Sequence, residues 1–169
     1  MPESNDPEFV SRLNQVESWL EVNINGFFRH AEADFVFASS TDEGRPAFVR
    51  VIVSRVAPIV SFAVVLVENV ENRRRSALVE LSNLFNEALA WGKTHVSFVH
   101  DRLECSVSVS VLPNLADEQL DRLFREGIAR TVASIDDFAP YLDELLQRDK
   151  QWTEVGLKFL QDSGVVSPE

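Results

Sequence analysis

The chain has 169 residues, of which 45% are hydrophobic and 25% charged, and a formal net charge of −11. That length supports one well-buried core and is short for two, and the composition is that of a folded domain rather than a disordered segment. The acidity repels phosphate backbones, so nucleic acid is not an expected partner.

The start of the chain, Met1 to Glu8, is polar and acidic, with no basic stretch leading into an apolar run. The longest apolar run, Ile59 to Val67, contains Ser61 and is about half of what a membrane helix needs. The expectation is a soluble cytoplasmic protein with no membrane partner. The terminal regions carry most of the charge: residues 1–22 hold one basic and five acidic groups, and residues 117–169 hold six and twelve.

Asp6-Pro7 opens the first helix, because Asp is a good N-cap and Pro suits the first helical turn. Phe9, Leu13, Val16 and Leu20 form its apolar stripe, and Asn25-Gly26 ends it. A short strand over 35–39 and a polar turn over 40–44 follow. The second strand spans 48–54, and a break at Ala57-Pro58 leads into the third, 59–67.

The arginine run Arg73-Arg74-Arg75 beside Glu68 and Glu71 reads as a solvated linker. Ser76 then caps the second helix, with Leu78, Leu81, Phe85 and Ala88 on one side and Gly92 at its stop. Strand four runs from Thr94 to Val99. Strand five alternates without a fault: Leu103, Cys105, Val107, Val109 and Val111 point one way, and Glu104, Ser106, Ser108 and Ser110 the other. That period of two means a sheet with one wet and one dry face.

Pro113-Asn114 ends the sheet and Asp117 caps the last long helix, which Pro140 is expected to interrupt or kink. Residues 149–161 read as an extra helix around Trp152, Val155, Phe159 and Leu160, and residues 1–5 and 162–169 as disordered ends. The whole is one α+β domain over 1–169, with an antiparallel sheet of about five strands in the order α-β-β-β-α-β-β-α plus a C-terminal extension.

A search for chemistry finds little. His95, His100, Asp101 and Glu104 form a loose cluster, but the two histidines lie five apart near a strand and point to opposite faces. There is no G-x-S-x-G, Walker loop, G-x-G-x-x-G, C-x-x-C or H-E-x-x-H. Paired carboxylates such as Asp136-Asp137 and Asp143-Glu144 suit helix dipoles or solvent. Cys105 falls on the dry parity of its strand and reads as a core residue. No catalytic residue, metal or cofactor is expected.

Strand three is apolar on both faces, and strand two sets Val49, Val51 and Val53 against Phe48, Arg50 and Ile52. Two-sided apolarity means that both faces are covered, and a partner chain is a candidate for the second cover. The candidate partner-binding residues are Phe48, Arg50 and Ile52, joined by Trp91 at the second helix stop.

The element order resembles the type III secretion chaperone-like fold, and in particular the bacterial YbjN-like family. The likeness is strongest from Ala77 to Leu146. It rests on Leu81-Ser82-Asn83-Leu84-Phe85-Asn86, on Gly92-Lys93 leading into a strand, and on a last helix carrying Phe138-Ala139-Pro140-Tyr141-Leu142. The resemblance implies a compact, often homodimeric domain that binds protein segments or acts in regulation without catalysis. The favoured reading is therefore a non-catalytic protein- or peptide-binding module, chaperone-like or regulatory. Its rivals are a small enzyme or small-molecule sensor using carboxylates in a pocket, and a structural subunit of a larger complex.

Overall fold

The computed structural model describes residues 6–89, 91–97, 99–112 and 115–166. Ten elements follow in order: α1 (Pro7–Asn23), β1 (Phe28–Ala31), β2 (Asp34–Ser40), β3 (Pro46–Val53), β4 (Ile59–Val67), α2 (Asn72–Ala88), β5 (Lys93–Ser97), β6 (Arg102–Ser110), α3 (Asp117–Leu146) and α4 (Trp152–Asp162). The architecture is the expected α+β class, with six strands where about five were expected. They form one antiparallel sheet in the order β1-β2-β3-β4-β6-β5.

The extra strand is β1. Its four residues are all exposed and do not alternate, so no periodic signal marks it. It exists because a tight turn at Glu32-Ala33 folds it back onto β2.

Three boundaries differ for physical reasons. Helix α2 starts at Asn72 rather than after Ser76, and Glu71 in the N-cap position makes no side-chain capping bond. The three arginines are therefore helical, each tied to an acid: Arg73 to Glu71, Arg74 to Asp149 and Arg75 to Asp101. Helix α3 begins after Ala116, whose N–H donates to the Gln119 carboxamide at 3.2 Å, so Asp117 is its first residue and not its cap. It also runs through Pro140 without interruption; the missing N–H costs one bond in a helix of 30 residues held by packing on both sides of it. The turn at Pro113-Asn114 lies outside the described residues.

The dry face of the sheet carries Phe35 and Phe37 of β2, Val49, Val51 and Val53 of β3, Val60, Phe62 and Val64 of β4, and Leu103 and Cys105 of β6, all buried. Helices α1 and α3 pack on this face, α2 covers its β5 end, and α4 rests on α2 and α3. The approach is close at two glycines. A Cβ on Gly127 of α3 would sit 2.6 Å from the Phe62 ring, and one on Gly156 of α4 would sit 2.3 Å from Leu84 Cδ1. Two ring clusters fill the core: Phe62, Phe124 and Trp19 pack edge to face, and Phe85 stacks on Phe138 at 4.1 Å with Phe159 edge-on at 4.6 Å.

Candidate functional site

With the helices on one side, the other face of the sheet has no helix over it. Antiparallel register decides which side chains meet there, because directly opposed residues share a face. One row reads Val36, Arg50, Ala63, Ser106 and Lys93 across β2, β3, β4, β6 and β5. The row beside it holds Asp34, Ile52, Ser61 and Ser108, and the row on the other side brings Val65, Glu104 and His95 together.

These rows build an ionic centre. Arg50 Nη2 donates to Asp34 Oδ2 at 2.6 Å, and its Nη1 lies 3.7 Å from Glu104 Oε1. Glu104 also meets His95 Nε2 at 3.1 Å and the Arg102 guanidinium. Although no helix covers them, Asp34 and Glu104 are buried, shielded by the side chains around them. The hydrogen bond from Arg50 to Asp34 holds the guanidinium in its charged form; partial burial opposes this, and the negative charges of Asp34 and Glu104 reinforce it.

Around this centre lies exposed apolar surface. Phe48 is 66% exposed and Phe28 is 57% exposed, while Ile52, Ile59 and Val65 are half-buried. Large aromatic side chains left in water at this density mark a face suited to contact. Phe48, Arg50 and Ile52 thus share the open face, as strand parity requires. Arg50 is on an interior strand and is paired, so it does not snorkel from an edge.

Trp91 is elsewhere. It stands on the helical side, in a cleft with Phe138, Tyr141 and Phe159. Sequence reasoning missed Asp34 and Glu104 as neighbours of Arg50, and His95 as the neighbour of Glu104. The signal was in the register, since an acid one step off the Arg row on each side completes the network only once the strands are aligned.

The loose cluster of two histidines and two acids is divided. His95 and Glu104 meet across β5 and β6, whereas Asp101 turns away to Arg75. Among the described residues no group of three His, Cys, Asp or Glu side chains converges as metal ligands would. Asp136 is occupied in docking the β2–β3 turn, accepting from the Glu43 N–H at 3.2 Å and lying 3.5 Å from Arg45 Nε. Cys105 is fully buried under α3, and burial pushes its thiol up to about 11. No described helix is long and apolar enough to cross a membrane.

No family model matches the chain, and no curated protein matches it in sequence. Among solved structures it is similar to YbjN from E. coli, described there as a candidate transcription regulator, with a TM-score of 0.53 and 14% identity over 73% of this chain and 90% of that one. The fold is YbjN-like. At that identity the likeness concerns the path of the backbone alone.

Proposed function

We propose that the protein is a non-catalytic binding module that holds a protein segment, or a second copy of itself, on the open face of its sheet. The observation that supports this reading is the helix-free face, where exposed Phe28 and Phe48 and half-buried Ile52 surround a paired Arg50. Interfaces favour this composition: apolar and aromatic groups with an Arg whose charge is already compensated. The module acts in the bacterial cytoplasm as a homodimer, with a regulatory or chaperone-like role of the kind associated with YbjN-like and type III secretion chaperone proteins. A standard interface of about 800 Å² per partner would cover the exposed apolar groups.

The test is Ile52→Asp and Phe48→Asp, each compared with the parent by sedimentation equilibrium and by recovery of bound chains from the native cell. Both variants are expected to stay folded, because the charge enters a wet face, and to lose self-association or the bound chain. A parent that is monomeric at micromolar concentration and recovers no chain sensitive to Phe48→Asp overturns the reading.

A further inference from the structure

On the helical side of the sheet, independent of the open face, α2, α3 and α4 leave a cleft of about 250 Å³. Its lining is unusual in combining aromatic and acidic groups: Trp91, Phe138, Tyr141 and Phe159 with Asp137 and Asp162. No lysine or arginine is among its described lining residues, although Lys158 pairs with one of them, Asp162. Two helices also end there. The last turns of α2, at Ala88, and of α4, at Asp162, contain no basic residue; Lys158, one turn back in α4, pairs with Asp162, while the partial negative charge at the end of α2 has no base of its own helix beside it.

One of the two carboxylates already shows what the cleft attracts. Asp162 Oδ2 accepts from the Tyr141 hydroxyl at 2.9 Å and from Lys158 Nζ at 3.0 Å, and that same ammonium stands 4.8 Å from the centre of the Tyr141 ring. The Asp137 carboxylate, in contrast, makes no hydrogen bond or ion pair among the described residues. Its surroundings, and then the neighbouring Asp136, hold its carboxyl above the usual range. A cation placed beside it would relieve both effects.

We propose that this cleft binds the ammonium group of an organic cation, with the charge beside Asp137 and the carbon body against the aromatic rings. A bare divalent metal is disfavoured, because hard cations need six or more oxygen ligands and the described lining supplies two carboxylates, one of which is already bonded to Tyr141 and Lys158. Alkylammonium groups suit this mixed lining, since they need no full shell of oxygen ligands and aromatic rings beside a carboxylate attract them. The ammonium can come from a free amine or from a lysine side chain on a partner chain.

The test is an NMR titration of the full chain with choline, with a capped lysine tripeptide, and with the uncharged carbon isostere of choline at matched ionic strength. Choline or the peptide should give saturable shifts of the Trp91 indole N–H and of amides around Asp137 and Tyr141. The isostere should give none. Tighter binding of choline assigns the source to a free amine, and tighter binding of the peptide assigns it to a partner's lysine. Asp137→Asn should weaken binding roughly tenfold with an unchanged thermal midpoint, and Trp91→Leu is the second variant if that one folds poorly. No saturable shift up to tens of millimolar, an equal response to the isostere, or unchanged affinity in the folded variants overturns the proposal.

Discussion

Asn86 of α2 closes the free edge of β5 by pairing with both backbone groups of Thr94. The Thr94 N–H donates to Asn86 Oδ1 at 2.6 Å, and Asn86 Nδ2 donates to the Thr94 carbonyl at 2.9 Å. A carboxamide presents an N–H donor and a C=O acceptor side by side, so Asn86 stands in for a neighbouring strand at this residue. Below it, the Thr94 hydroxyl donates to the Ser82 carbonyl at 3.0 Å. The edge that would otherwise template pairing with another chain is thereby blocked.

Asn86→Ala should therefore lower stability by about 1–3 kcal/mol, because it leaves two part-buried backbone groups without partners. Urea denaturation with an unchanged m-value measures the loss. Asn86→Asp keeps the acceptor and loses the donor, and should fall between the parent and the alanine variant.

Gly127→Ala tests the contact between α3 and the sheet. The added methyl would stand 2.6 Å from a fully buried Phe62 ring, which cannot swing away because Phe124 packs against it. Overpacking of this kind costs about 1–3 kcal/mol. The added helix propensity of alanine recovers under about 1 kcal/mol, so the net change is destabilising. A thermal midpoint equal to or above that of the parent would contradict the packing described.

The ionic centre on the open face makes a different prediction. Arg50→Met strands the buried Asp34 and removes one of the three basic partners of Glu104, and should cost about 1–3 kcal/mol, discounted from a fully buried pair because Arg50 is partly exposed. Adding Asp34→Val removes the stranded charge and should restore part of the loss. A double-mutant cycle by chemical denaturation reads the coupling; additive effects of the two changes would mean that the pair contributes nothing.

Alkaline pH should weaken the fold through Cys105. Burial raises its thiol from 9.0 to about 11 in the folded chain, a rise that a hydrogen bond with Ser134 partly offsets. The unfolded chain loses that proton first, so stability from this group is complete below pH 9 and disappears as pH rises through 11. Cys105→Ala should flatten the decline in stability over that window. The native thiol should also react slowly with thiol reagents at pH 8 and quickly once unfolded.

Much of the fold was legible along the chain because burial imposes a period. The alternation of Leu103 to Val111 identified β6 and its dry face, Phe9 to Leu20 identified α1, and Asp6-Pro7 marked where α1 starts, with Asp6 accepting from the Glu8 N–H at 3.0 Å. Where an element owes its existence to its neighbours, the local signal was absent. Strand β1 forms by pairing with β2, and the first turn of α2 is held by acids from residues distant in the chain.

The candidate sites divide along the same line. Parity along β3 is a property of sequence, since alternate side chains must face opposite ways, and it placed Phe48, Arg50 and Ile52 together. What Arg50 meets is a property of register: Asp34 is sixteen residues before it and Glu104 lies two strands away, and only the alignment of β2, β3, β4 and β6 makes them neighbours. Trp91 shows the strongest dependence on tertiary structure. Its sequence context offered only a helix stop, and its surroundings of Asp137, Tyr141 and Asp162 come from the packing of α3 and α4 beside the end of α2, which no local pattern encodes.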